Sequence, residues 1–394
     1  MPDSVAAKRG RLLVVQRRLT HYRLPFFEGV RSKLEAADID LTLAVGNPTA
    51  AERNKRDEGH LDWAVHVPCT YALDGRLCWQ SLGSLLPQHD MVVVTQENKL
   101  LNNLPLLLGR QRCRVGSWGH GRNFQAAGNQ AAGVAQRLKA ALSRRADWWF
   151  AYTEVSAEIV RDFGYPAGRI TVLNNAIDTA GLAAAVAQAR LRSKEELRMS
   201  FGLAPGGPMG LYLGSLYPEK RLDLLVDGAM AVQVAHPDFQ LAVVGAGPQE
   251  AWLRARVAGL PWVHVLGSRH GAEKAELLAC ADVMLNPGLV GLGILDAFVA
   301  GLPLVTTDCH LHSPEIAYLQ PGNNGLMTAP DAAGFAAALI QIIDSPALAD
   351  HLRQGCAQSA VAYSMAAMVD RFCDGVLAWN ASERLSKLPS LGGA

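Results

Sequence analysis

At 394 residues the chain is longer than one hydrophobic core usually organises, which predicts two domains. Its 49% hydrophobic and 19% charged residues are ordinary for a soluble α/β protein, and no uninterrupted apolar run approaches the ~20 residues of a membrane-crossing helix. The net charge of +1 is unevenly spread, with 23 Lys and Arg against 17 Asp and Glu in residues 1–178 and 14 against 19 in the remainder; so modest a basic half, without a nucleic-acid-binding motif, reads mostly as solvated surface.

The opening MPDSVAAKRGRLLVV sets basic residues directly before a short strand, with no long apolar region and no cleavage site, which predicts a cytoplasmic chain. The seven cysteines (Cys69, Cys78, Cys113, Cys280, Cys309, Cys356, Cys373) are odd in number, scattered and without a CxxC pair, the pattern of reduced thiols rather than of a disulfide frame or a structural zinc site.

Strand-like runs then alternate with helical stretches: RLLVV, DLTLAV, DMVVVT, WWFAYT and RITVL in the first half, MGLYLG, FQLAVVG, WVHVLG, DVMLNP and PLVTT in the second. Such alternation predicts parallel sheets covered by helices. After the first strand come Arg17, Arg18, His21, Tyr22 and Arg23, a polar and mostly basic cluster, and Phe26 and Phe27 open a buried helix. SWGHG places His120 in a strand-end loop between Gly119 and Gly121, an exposed position suited to close backbone approach; the competing reading is a structural histidine. The stretch from Arg137, Lys139, Arg144 and Arg145 into Trp148, Trp149 and Phe150 offers peripheral contact with an anionic inner leaflet, against the simpler reading of a solvated helix leading into a buried strand. Residues 178–198, followed by FGLAPGGPMG, read as a connector and a new domain start, so the domains are placed at 1–178 and 196–361, with a C-terminal helix from about 362 to 394 packing back on the first.

The second half carries the glycine turns. YLGSLYPEKR puts Gly214 and Ser215 at a strand end and Lys220 and Arg221 at a helix start, where two cations can meet a diphosphate. VVGAGP supplies Gly245 and Gly247, but without a third glycine or an acidic strand end a dehydrogenase fingerprint is disfavoured. VLGSRH supplies Gly267 and Ser268, backbone able to read a base edge. Residues 282–308, DVMLNPGLVGLGILDAFVAGLPLVTTD, join strand to helix to strand through Gly288, Leu289, Val290, Gly291, Leu292 and Gly293, with Asp296 about one turn into the helix. Glycines there permit close approach of a ligand, and a helix start points free N–H groups at an anion. The competing reading is a tight packing turn. Beyond it, His310, His312, Ser313 and Glu315 form a polar turn in which two imidazoles lack a locatable third metal ligand, so a catalytic zinc is not expected.

In this order and spacing the chain resembles glycosyltransferase family 4 along almost its entire length. The resemblance implies a retaining enzyme of the GT-B architecture, two Rossmann-like domains with parallel sheets facing an interdomain cleft. It implies a nucleoside diphosphate sugar donor, UDP-sugar before GDP-sugar, a glycan or lipid-linked glycan acceptor of cell-surface polysaccharide assembly, and no cofactor or bound metal. The family's Lys falls on Lys220, its neighbouring Arg on Ser215, with Arg221 as the substitute cation. Its ribose-holding glutamate falls on Asp296 and its sugar-contacting glutamate on Gly288, so half of that signature is replaced. His120 matches the family histidine near the donor sugar, Glu315 the glutamate of a Pro-Glu pair, and Asn175 to Asp178 the family's Asn-Gly-Ile-Asp. The resemblance of LLVVQRRLTHYRLPFFEGV to the opening of bacterial polysaccharide transferases implies that Arg17, Arg18, His21, Tyr22 and Arg23 lie near the cleft and bind an acceptor phosphate. The losses at Ser215 and Gly288 leave a degenerate nucleotide-binding scaffold as the rival, with a GT-B phosphorylase or sugar-nucleotide epimerase as a further one.

Overall fold

Both series of apolar runs become parallel strands in a computed structural model, which describes residues 9–53, 57–97, 99–109, 112–121, 141–142 and 144–384. The chain divides into two units, Met1–Asn175 with Met365–Ala394, and Ala176–Ser364.

The first unit contains β1 (Gly10–Gln16), β2 (Ile39–Val45), β3 (Val65–His66), β4 (Cys69–Ala72), β5 (Leu77–Gln80), β6 (Met91–Thr95), β7 (Arg114–Gly119), β8 (Trp148–Ala151) and β9 (Ile170–Val172). Seven of these form a parallel sheet in the order β3-β2-β1-β6-β7-β8-β9, with Leu12 registered against Leu41 on one side and Met91 on the other. Leu12 to Val15 and Val92 to Val94 are buried, as expected where helices cover both faces and a strand therefore reads as a continuous apolar run. The helix Leu24–Glu35 starts on Pro25 and buries Phe26, Phe27, Val30 and Leu34, one stripe at helical spacing.

The last helix, Met365–Ala381, packs on that helix and closes the same core. Phe372 lies 5.4 Å from Phe26, 5.7 Å from Trp118 and 4.8 Å from Phe150, centroid to centroid, and burying each such ring contributes about 2–3 kcal/mol. Gly116 makes room for Trp379, whose ring would stand 3.1 Å from a Cβ added there. Sequence periodicity misses the β4–β5 hairpin, which turns through Leu73, Asp74 and Gly75, all at positive φ, and it misses β3.

The second unit contains β10 (Met209–Leu213), β11 (Gln240–Val244), β12 (Val263–Gly267), β13 (Val283–Leu285), β14 (Leu304–Thr307) and β15 (Gly325–Thr328), in the order β12-β11-β10-β13-β14-β15, all parallel. The expected series omits only β15. Helix Leu222–Ala235 buries Leu222, Leu225, Val226, Ala229 and Val232, and Gly228 lets Phe335 of helix Ala332–Asp344 approach to 2.7 Å from where a Cβ would stand.

Residues 176–200 are not a connector. They form helices Ala180–Ala189 and Lys194–Ser200, both packed on helix Gly271–Cys280, and belong to the second unit. The reason is local: Ser193 and Glu196 make a reciprocal capping box, and buried Arg198 donates to the Cys280 carbonyl at 3.1 Å and to Asp282 at 2.8 Å. The second unit therefore begins at Ala176 rather than 196, and the returning helix at Met365 rather than 362. Among the described residues no single helix is long and apolar enough to cross a membrane.

Candidate functional site

In the second sheet the strand sequence reverses between β10 and β13, and a doubly wound sheet takes its ligands beyond the carboxyl ends of the strands at that switch point. A cavity of about 270 Å³ opens there, lined by Leu213, Gly214, Tyr217, Lys220, Met284, Asn286, Leu304, Ser313 and the run from Leu289 to Ile294.

Lys220 ends the short 3-10 turn Pro218–Lys220 and is buried. Its ammonium donates to the Leu289 carbonyl and lies 5.5 Å from the centre of the Tyr217 ring. Burial lowers its pKa from 10.5 to about 8, Cys309 opposing the shift only in part. A cation held in a cavity without a carboxylate partner among the described residues is a standing place for an anion.

The loop after β13 is fixed at several points. Asn286 donates to the Leu289 carbonyl at 3.1 Å, the Thr307 hydroxyl to the Pro287 carbonyl at 2.6 Å, and the Leu289 amide to the Glu219 carbonyl at 2.8 Å. The Val290 amide donates to His312 Nδ1 at 3.1 Å, so it is not available to a ligand. The amides of Gly291, Leu292 and Gly293 have no acceptor among the described residues, and all three residues line the cavity. Gly288 packs on the Lys220 turn: a Cβ would stand 2.2 Å from the Glu219 carbonyl oxygen and 2.4 Å from the Lys220 carbonyl carbon. Where the resemblance places a sugar-contacting glutamate, backbone fills the space.

Asp296 is buried in helix Gly293–Val299 and paired with Lys274 at 2.8 Å. Burial raises its pKa, and the Lys274 ammonium opposes that shift. Lys274 was not expected from sequence; the EK pair in GAEKAELL is its only signal.

Other expected donor residues take different roles. Arg221 sits in the left-handed region at φ 53°, heads helix Leu222–Ala235, pairs at the surface with Asp223 at 2.9 Å and does not line the cavity. The Ser215 carbonyl accepts from the Tyr212 hydroxyl, and the Ser215 side chain does not line the cavity either. Gly245 and Gly247 are packing glycines, since a Cβ would stand 1.8 Å from the Gly214 oxygen and 2.4 Å from the Leu216 oxygen. Gly267, at φ 71°, and Ser268 lie outside the cavity lining, and Glu315 is buried in the 3-10 turn Pro314–Tyr318.

In the first unit, Arg17 and Arg18 follow β1, but neither is a free phosphate ligand. Arg17 is buried and bound by both carboxylate oxygens of Glu52 at 2.7 Å and by the Tyr71 hydroxyl at 3.1 Å, while Arg18 pairs with Asp57 at 2.8 Å. The Arg17 hydrogen bond holds the Glu52 carboxyl far below the usual carboxylate range. His21 and Tyr22 remain exposed. His120 follows β7, stacked on Tyr152 at 4.0 Å between centroids. The position is not the exposed one expected: Gly119 and Gly121 are buried and His120 is half-buried, with Gly119 letting Gln96 come close and Gly121, at φ 77°, donating its amide to Gln96 at 2.9 Å. Arg23 lies buried over Trp118 and donates to Asn175 at 2.8 Å. Trp148, Trp149 and Phe150 are core residues of β8; Arg137 and Lys139 lie outside the described residues.

His310 is exposed beside Asp308, and His312 turns instead to the donor loop, so the two imidazoles do not converge; among the described residues no three of His, Cys, Asp and Glu do. Asn286, Ser313, Tyr217 and His312 join the site only through the fold.

Residues 207–345 match the Glycosyl transferases group 1 family. The chain is 30% identical over 210 residues to glycogen synthase of Mycobacterium tuberculosis, covering 51% of this chain and 46% of that protein. Over 102 residues it is 35% identical to the GDP-mannose-dependent alpha-(1-6)-phosphatidylinositol dimannoside mannosyltransferase of the same species, covering 25% and 26%. The chain thus spans about half or less of the length of these relatives. Anabaena HepE, solved in complex with UDP, aligns over 93% of this chain and 99% of its own at a TM-score of 0.63 and 16% identity, and its UDP-glucose complex, covering the same shares at 16% identity, gives 0.61; at that identity the likeness is one of fold. The chain therefore has an α/β fold of the GT-B type, and its second unit carries a Glycosyl transferases group 1 domain.

Proposed function

We propose that the chain is a retaining glycosyltransferase that moves a sugar from a nucleoside diphosphate sugar to a glycan or lipid-linked glycan in cell-surface polysaccharide assembly, at the inner face of the membrane and without a bound metal. The observation that carries this reading is the meeting, in one cavity at the switch point, of buried Lys220 and the three acceptor-free amides of residues 291–293. Such donors neutralise the charge that builds on a departing diphosphate, which is where most of the rate enhancement arises. Asp296 is assigned to the ribose hydroxyls. Because backbone fills the side-chain space at Gly288, no carboxylate nucleophile stands there, which favours front-face substitution with retention. The acceptor role falls to the first unit. UDP-sugar is preferred on the strength of HepE, with a GDP-sugar as the alternative suggested by the mycobacterial relative.

Calorimetry with UDP, GDP, ADP and NAD and their sugar conjugates, with and without Mg²⁺, tests this. Binding of one nucleoside diphosphate, abolished in Lys220→Ala and weakened in Asp296→Ala, followed by turnover of its sugar conjugate, is the expected result. Binding without turnover leaves a nucleotide-binding scaffold. Binding of NAD alone overturns both.

A further inference from the structure

His312 makes two hydrogen bonds whose partners dictate its protonation. Its Nδ1 faces the Val290 amide at 3.1 Å, which can only donate, and its Nε2 faces the Thr307 carbonyl at 2.7 Å, which can only accept. The ring is therefore neutral, with its proton on Nε2. We propose that His312 is a positioning residue for the donor loop: its neutral imidazole ties Val290 to the end of β14 and so sets the three adjoining amides that face the cavity. For its binding and kinetic consequences the proposal rests on the glycosyltransferase reading.

Two more bonds make the tie specific to this loop. The Ser313 amide donates to the Val290 carbonyl at 2.9 Å, and the Thr307 hydroxyl holds the Pro287 carbonyl at 2.6 Å. Pro287 and Val290 are thus pinned to one strand end, and Gly291, Leu292 and Gly293 follow directly. A second proton on the ring would turn Nδ1 into a donor aimed at the donor N–H of Val290, and that contact must open.

The surroundings resist such protonation. Burial is the largest influence and lowers the pKa below 6.5; the Thr307 carbonyl and Asp308 favour the charged ring, while Lys220, from the turn after β10, and His310 oppose it. Cys309 also faces the ring, its sulfur 3.8 Å from Nδ1 and 3.6 Å from Nε2. The tie holds at neutral pH and is lost as the pH falls through the lowered value.

The test uses the full chain, with UDP-glucose as the probe because its diphosphate lacks the terminal phosphate that titrates near ~6. Nitrogen NMR of the histidines at pH 7.5 should show His312 protonated on Nε2 alone; a proton on Nδ1 overturns the proposal. His312→Leu should weaken UDP-glucose roughly tenfold at pH 7.5, the effect of one lost hydrogen bond. His312→Asn, whose amide oxygen can accept from Val290 and cannot be protonated, should stay within about threefold of wild type at pH 7.5 and lose the decline expected of wild type as the pH falls through the His312 pKa read from the same NMR spectra. Equal defects in both variants, with both folded by thermal melting, or identical profiles in wild type and His312→Asn across that measured pKa, refute the role. If UDP-glucose does not bind wild type at any pH, its use as donor fails by itself, and hydrogen exchange at Val290 then decides the tie: faster in His312→Leu supports it, unchanged rejects it.

Discussion

Lys220 is kept in the cavity at a pKa of about 8, and the sign of that shift has measurable consequences. Between about 8 and 10.5 the unfolded chain binds more protons than the folded one, so this residue's contribution to stability rises with pH across that window. A bound diphosphate favours the charged ammonium. Affinity for it should therefore fall as the pH is raised through 8, and binding near pH 8 should take up protons, measured by calorimetry in buffers of different ionisation enthalpy; binding without proton uptake would remove Lys220 from the ligand's shell. Lys274→Met leaves the buried Asp296 carboxylate alone and should cost about 2 kcal/mol in urea unfolding, the low side for a broken buried pair because Lys274 is a quarter exposed. Lys220 was legible in PEKR after a strand. Its distinction from Arg221 was not, since only the fold shows Lys220 buried in the cavity and Arg221 paired with Asp223 outside it. His312 was legible as a polar residue without a task; its role needs β14 and the loop after β13 side by side.

Glycine-rich turns are where sequence reading marks the right elements and misassigns the purpose of some. Gly214, Gly291 and Gly293 line the cavity, whereas Gly245, Gly247 and Gly288 exist so that two backbones can touch. One string of letters serves both ends, and the difference is what a Cβ would meet. Gly288→Ala would press on the backbone of Glu219 and Lys220, and it should cost about 1–3 kcal/mol and shift Lys220, seen as a lowered Tm together with weakened nucleotide binding. Gly293→Ala, at the first position of its helix with open space around it, should change Tm little, corresponding to within about 0.5 kcal/mol, which makes it the control for the first variant. The β4–β5 hairpin is hard to read from periodicity because its strands are only four residues each, although the Asp-Gly at its turn is a usable signal.

Across the whole molecule, the alternation of strands and helices revealed both sheets, because buried parallel strands are continuous apolar runs that need no partner to be recognised. The boundary was misplaced because an Ala-rich, charged segment reads as a linker until the helix it docks on, Gly271–Cys280, is in place. Each unit has its own buried core. Residues 176–364 expressed alone should therefore unfold cooperatively, with the first unit absent. Trp379→Ala should cost the first unit about 3–5 kcal/mol and leave the second unchanged, seen by calorimetry as movement of one of two transitions. A single shared transition that shifts as a whole would contradict this division.

The helix Met365–Ala381 makes the first unit discontinuous and the second continuous. Emerging from a ribosome, residues 176–364 can finish their sheet while the first seven-stranded sheet still waits for Phe372 and Trp379. The half translated first is the half completed last. During that delay the ring faces of Phe26, Trp118 and Phe150 are uncovered, so the interval in which a chaperone matters most to this chain runs from the emergence of Phe150 to that of Phe372, long after the first of those rings has left the tunnel.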